Sequence, residues 1–175
     1  LDLGCKKGDV SLSLAKQVKR LVAVDKEFSG DWRFLSSANL RFVNGNALFL
    51  PFKNASFDTI IACEVLQYIE NPRPVLDEIC RTLKPGGCLV ASFPVKGLLT
   101  DFLNPYNLTR KIKLMIDPAR KIRGKVIYHK TADILEFFRG KLILRSCIRR
   151  GTWGFVYAAW IVENLQTARM LLKSK

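Results

Sequence analysis

With 175 residues, 49% of them hydrophobic, the chain is long enough for one sizeable core and too short for two ordinary domains. Asp2, Lys6, Lys7 and Asp9 interrupt any apolar run at the start, so a signal peptide is not expected and a cytoplasmic location is. The formal net charge of +14 argues for phosphate-bearing or anionic partners, while five scattered cysteines without a C-x-x-C pair support neither a zinc site nor a disulfide framework.

The chain opens inside an apolar strand pattern without a methionine, so upstream residues are expected in the natural protein. The expected organisation is one N-terminally incomplete domain over residues 1–175. A first strand at 1–3 leads into Gly4-x-x-x-Gly8 and a helix over 10–18, in which Val10, Leu14 and Val18 have the spacing to face a sheet. Further strands are expected at 20–24, 40–43, 57–63 and 88–93. Between the last two, Val75, Leu76, Ile79, Cys80 and Leu83 make an apolar stripe on a helix over 74–83, and Lys84-Pro85-Gly86-Gly87 is its stop signal. This alternation predicts an α/β fold, a Rossmann-like and mostly parallel sheet with helices on both faces.

After Phe93 the texture changes to a basic, apolar insertion at about 96–130, expected as short helical pieces and loops, followed by a helix at 131–138 and a strand at 141–149. The block 96–150 carries 14 Lys/Arg against 4 Asp/Glu, whereas 1–95 carries 12 against 10, so the charge is concentrated after the first half. The stretch 151–162 is too short to span a bilayer. Trp153, Phe155, Tyr157 and Trp160 within it suit either a last strand or a packed helix.

A strand, a glycine turn and a helix N-terminus aim backbone N–H groups and a positive dipole end at whatever lies across the strand ends. Asp25 ends the second strand, where an acidic side chain can accept two ribose hydroxyls. Taken in order, "LDLGCKKG", "VAVDKE", "VNGNALFLPFKNASFDTIIACEVLQYI" and "EICRTLKPGGCLVASFP" resemble the class I S-adenosylmethionine-dependent methyltransferases, in particular the type 11 group, over about the first 94 residues. The resemblance implies S-adenosyl-L-methionine as cofactor. It places Asp2 and the turn Gly4, Cys5, Lys6 to Gly8 at the methionine end, Asp25 with Lys26 at the ribose, and Asn46 and Ala47 beside the adenine. The segment from Cys63 to Val65 would face the cofactor and the substrate.

Three positions depart from the family pattern: Lys6 replaces a glycine, Asn46 an aspartate that is common there, and Tyr68 a frequent histidine. A positive φ forced on Lys6 would store roughly 1–3 kcal/mol of strain, and its ammonium would repel a sulfonium or pair with the cofactor carboxylate. His129, Glu64, Tyr68 and Tyr106 are candidates to take a proton, and no catalytic residue is assigned. "NPYN" at 104–107 follows the fifth strand and reads as a turn rather than as the signature of amino-methylating enzymes.

The expected acceptor is a small molecule of amphiphilic or lipid-like character. Leu98, Leu99, Phe102 and Leu103, with Arg110, Lys111 and Lys113 further on, also suit peripheral contact with an anionic membrane. Nucleic acid fits the charge but less well the aromatic content of the basic block. The rival readings are an RNA methyltransferase, a non-catalytic degenerate binding domain, and a membrane-associated structural protein.

Overall fold

The computed structural model describes residues 1–95, 127–150 and 156–164. The expectations for the bulk of the insertion, for "NPYN" and Tyr106, and for Trp153 and Phe155 lie outside the described residues. Seven strands form one sheet: β1 (Asp2–Leu3), β2 (Leu21–Asp25), β3 (Leu40–Asn44), β4 (Phe57–Cys63), β5 (Leu83–Val95), β6 (Leu142–Arg150) and β7 (Val156–Asn164). Their order is β3-β2-β1-β4-β5-β7-β6. The first five run parallel. β7 lies antiparallel between β5 and β6, so the last stretch is a strand, one of the two forms left open by the sequence.

β2 shows how the layers are built. Successive strand side chains point to opposite faces. Leu21 and Ala23 pack with Cys5, Ala15, Trp32 and Leu40 on one side of the sheet. Val24, and Val22 beside it, belong to a second cluster on the other side that contains Ile60, Val75, Leu76, Ile79, Phe93, Ile134 and Phe138. Helix α1 (Asp9–Ala15) therefore covers one face, and α2 (Arg73–Thr82) and α3 (Thr131–Phe138) cover the other.

The stripe on α2 behaves as its spacing predicts: Val75, Leu76, Ile79 and Leu83 are buried. α1 does not. Val10 is 65% exposed, Val18 lies beyond the helix end and is 43% exposed, and of the expected face only Leu14 packs on the core, while Ser11 and Ala15 are the buried positions, so the helix is turned from the face expected. The Ser11 hydroxyl donates to the buried Asp2 carboxylate at 2.5 Å, and that polar contact fixes which side faces the sheet. The helix also stops at Ala15, because the Asn39 side-chain amide donates to the carbonyls of Ala15 and Val18, both at 2.7 Å. Those terminal carbonyls would otherwise lack partners.

β5 begins five residues earlier than the sequence indicates. The register jumps from Phe57↔Leu83 to Thr59↔Cys88, so the Lys84–Gly87 turn is absorbed into the strand as a bulge, with Gly86 at φ 76°. Lys84 closes it by donating to Asp58 at 2.9 Å. The loop that precedes β4 is tied down by Arg81 of α2. Its guanidinium donates twice to Glu78, to the carbonyls of Leu50 and Phe52, and to Asn54 Oδ1, at 2.7–3.0 Å. Glu78 in turn accepts the Leu50 N–H at 2.6 Å.

Candidate functional site

The strand order reverses between β1 and β4, and at such a point the loops leaving the carboxyl ends of neighbouring strands part to leave a crevice. A cleft of about 770 Å³ lies there. Its floor is Leu3, Gly4 and Lys6 after β1. One wall comes from the end of β2 (Val24 to Glu27) and the turn after β3 (Gly45 to Leu48). The opposite wall is Glu64, Val65 and Tyr68 to Asn71 after β4, with Pro74 of α2.

Of the residues singled out in the sequence, Gly4, Lys6, Asp25, Lys26, Asn46 and Ala47 line this cleft together. Asp2, Cys5, Gly8 and Cys63 do not line it. Asp2 is buried under the turn, held by Ser11. Cys5 points into the α1 core, where burial pushes its thiol up to about 12, leaving it protonated and inert. Gly8 caps α1 at φ 96°, where a Cβ would meet the Phe42 ring at 2.6 Å. Cys63 is exposed at the end of β4, paired in register with Ser92.

The floor is bare by necessity. Gly4 has φ 83°, and a Cβ there would lie 2.5 Å from the Val65 side chain, so only glycine leaves the cleft open at this point. Asp25 is the organising charge. Its Oδ2 accepts the Lys6 N–H at 2.8 Å and its Oδ1 accepts the Glu27 N–H at 2.9 Å. Each carboxylate oxygen keeps a second lone-pair direction for a ligand hydroxyl. Asn46 Oδ1 accepts the Leu48 N–H at 3.0 Å in a local turn, which leaves its amide NH2 as a further donor.

The turn after β4 carries two buried acceptors without a hydrogen-bond partner among the described residues, Glu64 Oε1 and Gln67 Oε1. Glu64 has φ 60°, uncommon for a residue with a side chain. One of its oxygens accepts Gln67 Nε2 at 2.7 Å, while Oε1 is buried with no hydrogen-bond partner among the described residues. A buried carboxylate oxygen of that kind calls for a donor, such as the ammonium of an amino-acid moiety or an acceptor hydroxyl. Exposed carboxylate, bare floor and orphaned acceptor together fit a nucleoside carrying an amino-acid tail. His129 stands further off, its Nε2 2.9 Å from the Leu66 carbonyl, and ties the start of α3 to the turn that bears Tyr68.

Apart from its glycine and its acidic strand end, much of this cleft carries no sequence signal. Glu70, Asn71 and Pro74 lie outside the motifs quoted above, and Glu27, Gly45, Leu48 and Ile69 lie within them without being singled out, because all of them enter through loop shape rather than residue type. For Glu70 and Asn71 the weak cue is their place just before the proline that opens α2. Among the described residues no group of three or more metal-ligating side chains occurs.

Burial pushes the Asp2 carboxyl above its usual range, with the Ser11 hydrogen bond opposing. A carboxyl raised in the folded state favours folding when protonated. Its stability cost appears as pH climbs out of the ordinary carboxylate range and is complete above the raised value. Asp2→Asn keeps an oxygen for the Ser11 hydroxyl. Urea unfolding is expected to show the variant at least as stable as the native chain at about pH 8, with a flatter profile down to about pH 4.

Likeness to known proteins bears on this geometry. A family model described as a methyltransferase domain matches residues 1–91. An uncharacterised methyltransferase of Mycobacterium bovis is 26% identical over 172 residues, spanning 91% of this chain and 85% of its own length. A demethylmenaquinone methyltransferase of Staphylococcus aureus is 30% identical over 168 residues, spanning 89% of this chain and 67% of its own length. Among solved structures, an S-adenosylmethionine-dependent methyltransferase of Methanosarcina mazei superposes with a TM-score of 0.69 at 18% identity, covering 93% of this chain and 91% of that one. At that identity the likeness establishes the fold.

Proposed function

The chain belongs to the methyltransferase-domain family, and from that premise we propose that it moves a methyl group from S-adenosylmethionine to a small, amphiphilic, quinone-like acceptor. The observation that carries the acceptor class is the match to a demethylmenaquinone methyltransferase over 89% of the chain, well beyond the cofactor-binding half. The apolar part of the cleft, formed by Leu48, Val65, Ile69 and Pro74, supports it as a surface for a flat ring.

When bound, the cofactor supplies an electrophilic methyl on a sulfonium. The chain's own contribution is placement. Asp25 holds the ribose hydroxyls, with Lys26 beside it, and its own position is fixed by two backbone N–H groups. Asn46 and Ala47 flank the base from the turn after β3. The bare backbone at Gly4 accepts the tail, and Glu64 Oε1 takes a hydrogen bond from its ammonium or from the acceptor. Asp2 acts beneath the turn, holding Gly4 to Gly8 in place through α1. Alignment and exclusion of water by these groups supply much of the acceleration in a displacement of this kind.

No helix among the described residues is long and apolar enough to cross a membrane. A lipid-like acceptor is reached from the surface in this reading, with the basic, apolar stretch at 96–130 against anionic headgroups. The test is transfer of label from S-adenosylmethionine carrying a radioactive methyl, with a demethylated menaquinone in anionic vesicles and total RNA offered in parallel. Label in the solvent-extracted lipid is expected. Label in the RNA alone would replace the acceptor class.

A further inference from the structure

Five large apolar side chains stand well out in solvent among the described residues: Val10, Val18, Phe28, Phe34 and Phe49. Single apolar side chains at a surface call for no explanation, whereas several gathered in one place do. Four of these five gather at one end of the sheet. β1, β2 and β3 run parallel, so the loops that leave them all start at the side of their carboxyl ends, where the cleft opens. Val10 lies in the first turn of α1, next to the Gly4 to Gly8 turn that leaves β1. Phe28 follows β2, Phe34 ends the short 3₁₀ turn Gly30–Phe34 of the same connection, and Phe49 follows β3. Val18 lies towards the other end, its carbonyl held by Asn39, whose own carbonyl accepts the N–H of Leu21 at the start of β2.

Contacts tie these loops into one surface. The Phe28 ring meets Trp32 edge-on at 5.4 Å between centroids, and Trp32 donates its indole N–H to the Lys6 carbonyl at 2.7 Å, where a φ of 51° turns the backbone. The Asn44 side chain donates to the carbonyls of Asp25 and Lys26, which joins the loop of Phe49 to that of Phe28. Phe28, Phe34 and Phe49 are 67%, 79% and 78% exposed. Phe28 follows directly on Glu27, and Phe49 on Leu48, both of which line the cleft. The Arg33 guanidinium stands over the Phe34 ring, 5.8 Å from its centroid, an apolar group with a cation beside it as at a lipid headgroup layer. The charges on these loops cancel, Lys6, Lys7, Lys26 and Arg33 against Asp9, Asp25, Glu27 and Asp31. The net charge of +14 on the whole chain does not cancel: it opposes the pairing of two copies and draws the chain towards an anionic surface.

Resting on the reading of the acceptor as lipid-like, we propose that Phe28, Phe34 and Phe49 enter the interfacial layer of an anionic lipid bilayer and set the mouth of the cleft against it. Rings carried on separate loops suit a fluid surface, into which each inserts by itself, better than a fixed groove on a protein partner. The overall charge brings the chain to the membrane, and the three rings hold it in one orientation. An acceptor dissolved in the bilayer then passes into the cleft beside Phe49 and Leu48 without crossing water.

The experiment is sedimentation of the full chain with vesicles of phosphatidylglycerol and phosphatidylcholine in equal parts, for the native protein, Phe28→Ser, Phe34→Ser, Phe49→Ser and the triple variant. Each single variant is expected to partition to vesicles roughly three- to tenfold less, and the triple variant about a hundredfold less, with unchanged thermal midpoints. Raised salt removes the part of the binding that comes from charge, and the part that persists in the native protein is absent from the triple variant. A native protein that stays in the supernatant overturns the proposal, as does a triple variant that sediments with vesicles as the native protein does. In the latter case a lowered thermal midpoint would assign the rings to packing within the chain, and a native dimer broken in the triple variant would assign them to a second copy. Methyl transfer separates the proposal from the reading beneath it. The triple variant should lose transfer to a demethylated menaquinone in vesicles and keep transfer to a demethylated quinone without an alkyl tail offered in solution. No transfer to either by the native protein overturns the acceptor reading and leaves the vesicle result standing.

Discussion

Asp25→Ala is expected to weaken S-adenosylmethionine binding by about 100- to 10,000-fold, at little cost to the fold. A carboxylate accepting two hydroxyls contributes two charge-assisted hydrogen bonds of roughly 1.5–3 kcal/mol each, and each 1.4 kcal/mol is about tenfold in affinity. The substitution also frees the N–H groups of Lys6 and Glu27, which Asp25 holds at 2.8 and 2.9 Å, so the floor loses part of its shape along with its charge. Asp25 sits at the solvent-facing end of β2, and the β2–β3 ladder next to it is made by backbone groups, which is why the thermal midpoint should hold. Asp25→Asn, which keeps one acceptor oxygen, should fall between. Calorimetry for binding and a thermal melt for the fold read the two effects separately.

The second large effect is on stability. Arg81→Ala is expected to cost about 2–4 kcal/mol, because it strips partners from the Leu50 and Phe52 carbonyls and from a partly buried Glu78 carboxylate at once. That corresponds to a fall of roughly 5–15 °C in Tm for a domain of this size. Arg81→Lys recovers at most part of it, since an ammonium cannot reproduce the planar fork that serves Glu78 and two carbonyls together. The pH dependence gives a further check. The Arg81 hydrogen bond holds the Glu78 carboxyl below its usual range. A carboxyl lowered in the folded state adds stability above the ordinary carboxylate range and loses it as pH falls through the folded value. The gap between native and Arg81→Ala should accordingly narrow in acid. The cleft wall from Gly45 to Leu48 leads directly into the segment Arg81 pins, so the variant should also bind cofactor less tightly.

The parts of this protein that were legible in the sequence are those where one residue type answers one physical demand. Gly4 is forced by a positive φ and a 2.5 Å approach to Val65, and Asp25 by its place at a strand end facing the crevice. The α2 stripe was legible for the same reason, since apolar side chains at helical spacing had one face to cover. Elsewhere a polar contact overrode the pattern. Val10 satisfies the spacing of a buried face, but the hydrogen bond from Ser11 to Asp2 turns it outward, while Val18 falls beyond the end of α1 and Leu14 alone of that face packs on the core. Lys84 to Gly87 reads as a stop and is a stop for the helix, yet its backbone is extended enough to start β5. The contact of the Lys6 ammonium with the Tyr68 ring, 5.6 Å from its centroid, could not be read at all, because nothing local relates residues on two loops that only the parallel β1–β4 pairing brings face to face.

One measurement goes most directly to the claim that the cleft at the β1–β4 crossover is a methyl-donor site: titration of S-adenosylmethionine into the native chain by calorimetry. The account predicts saturable binding at one site per chain with a micromolar dissociation constant. No saturable heat with donor raised to millimolar concentration would contradict it.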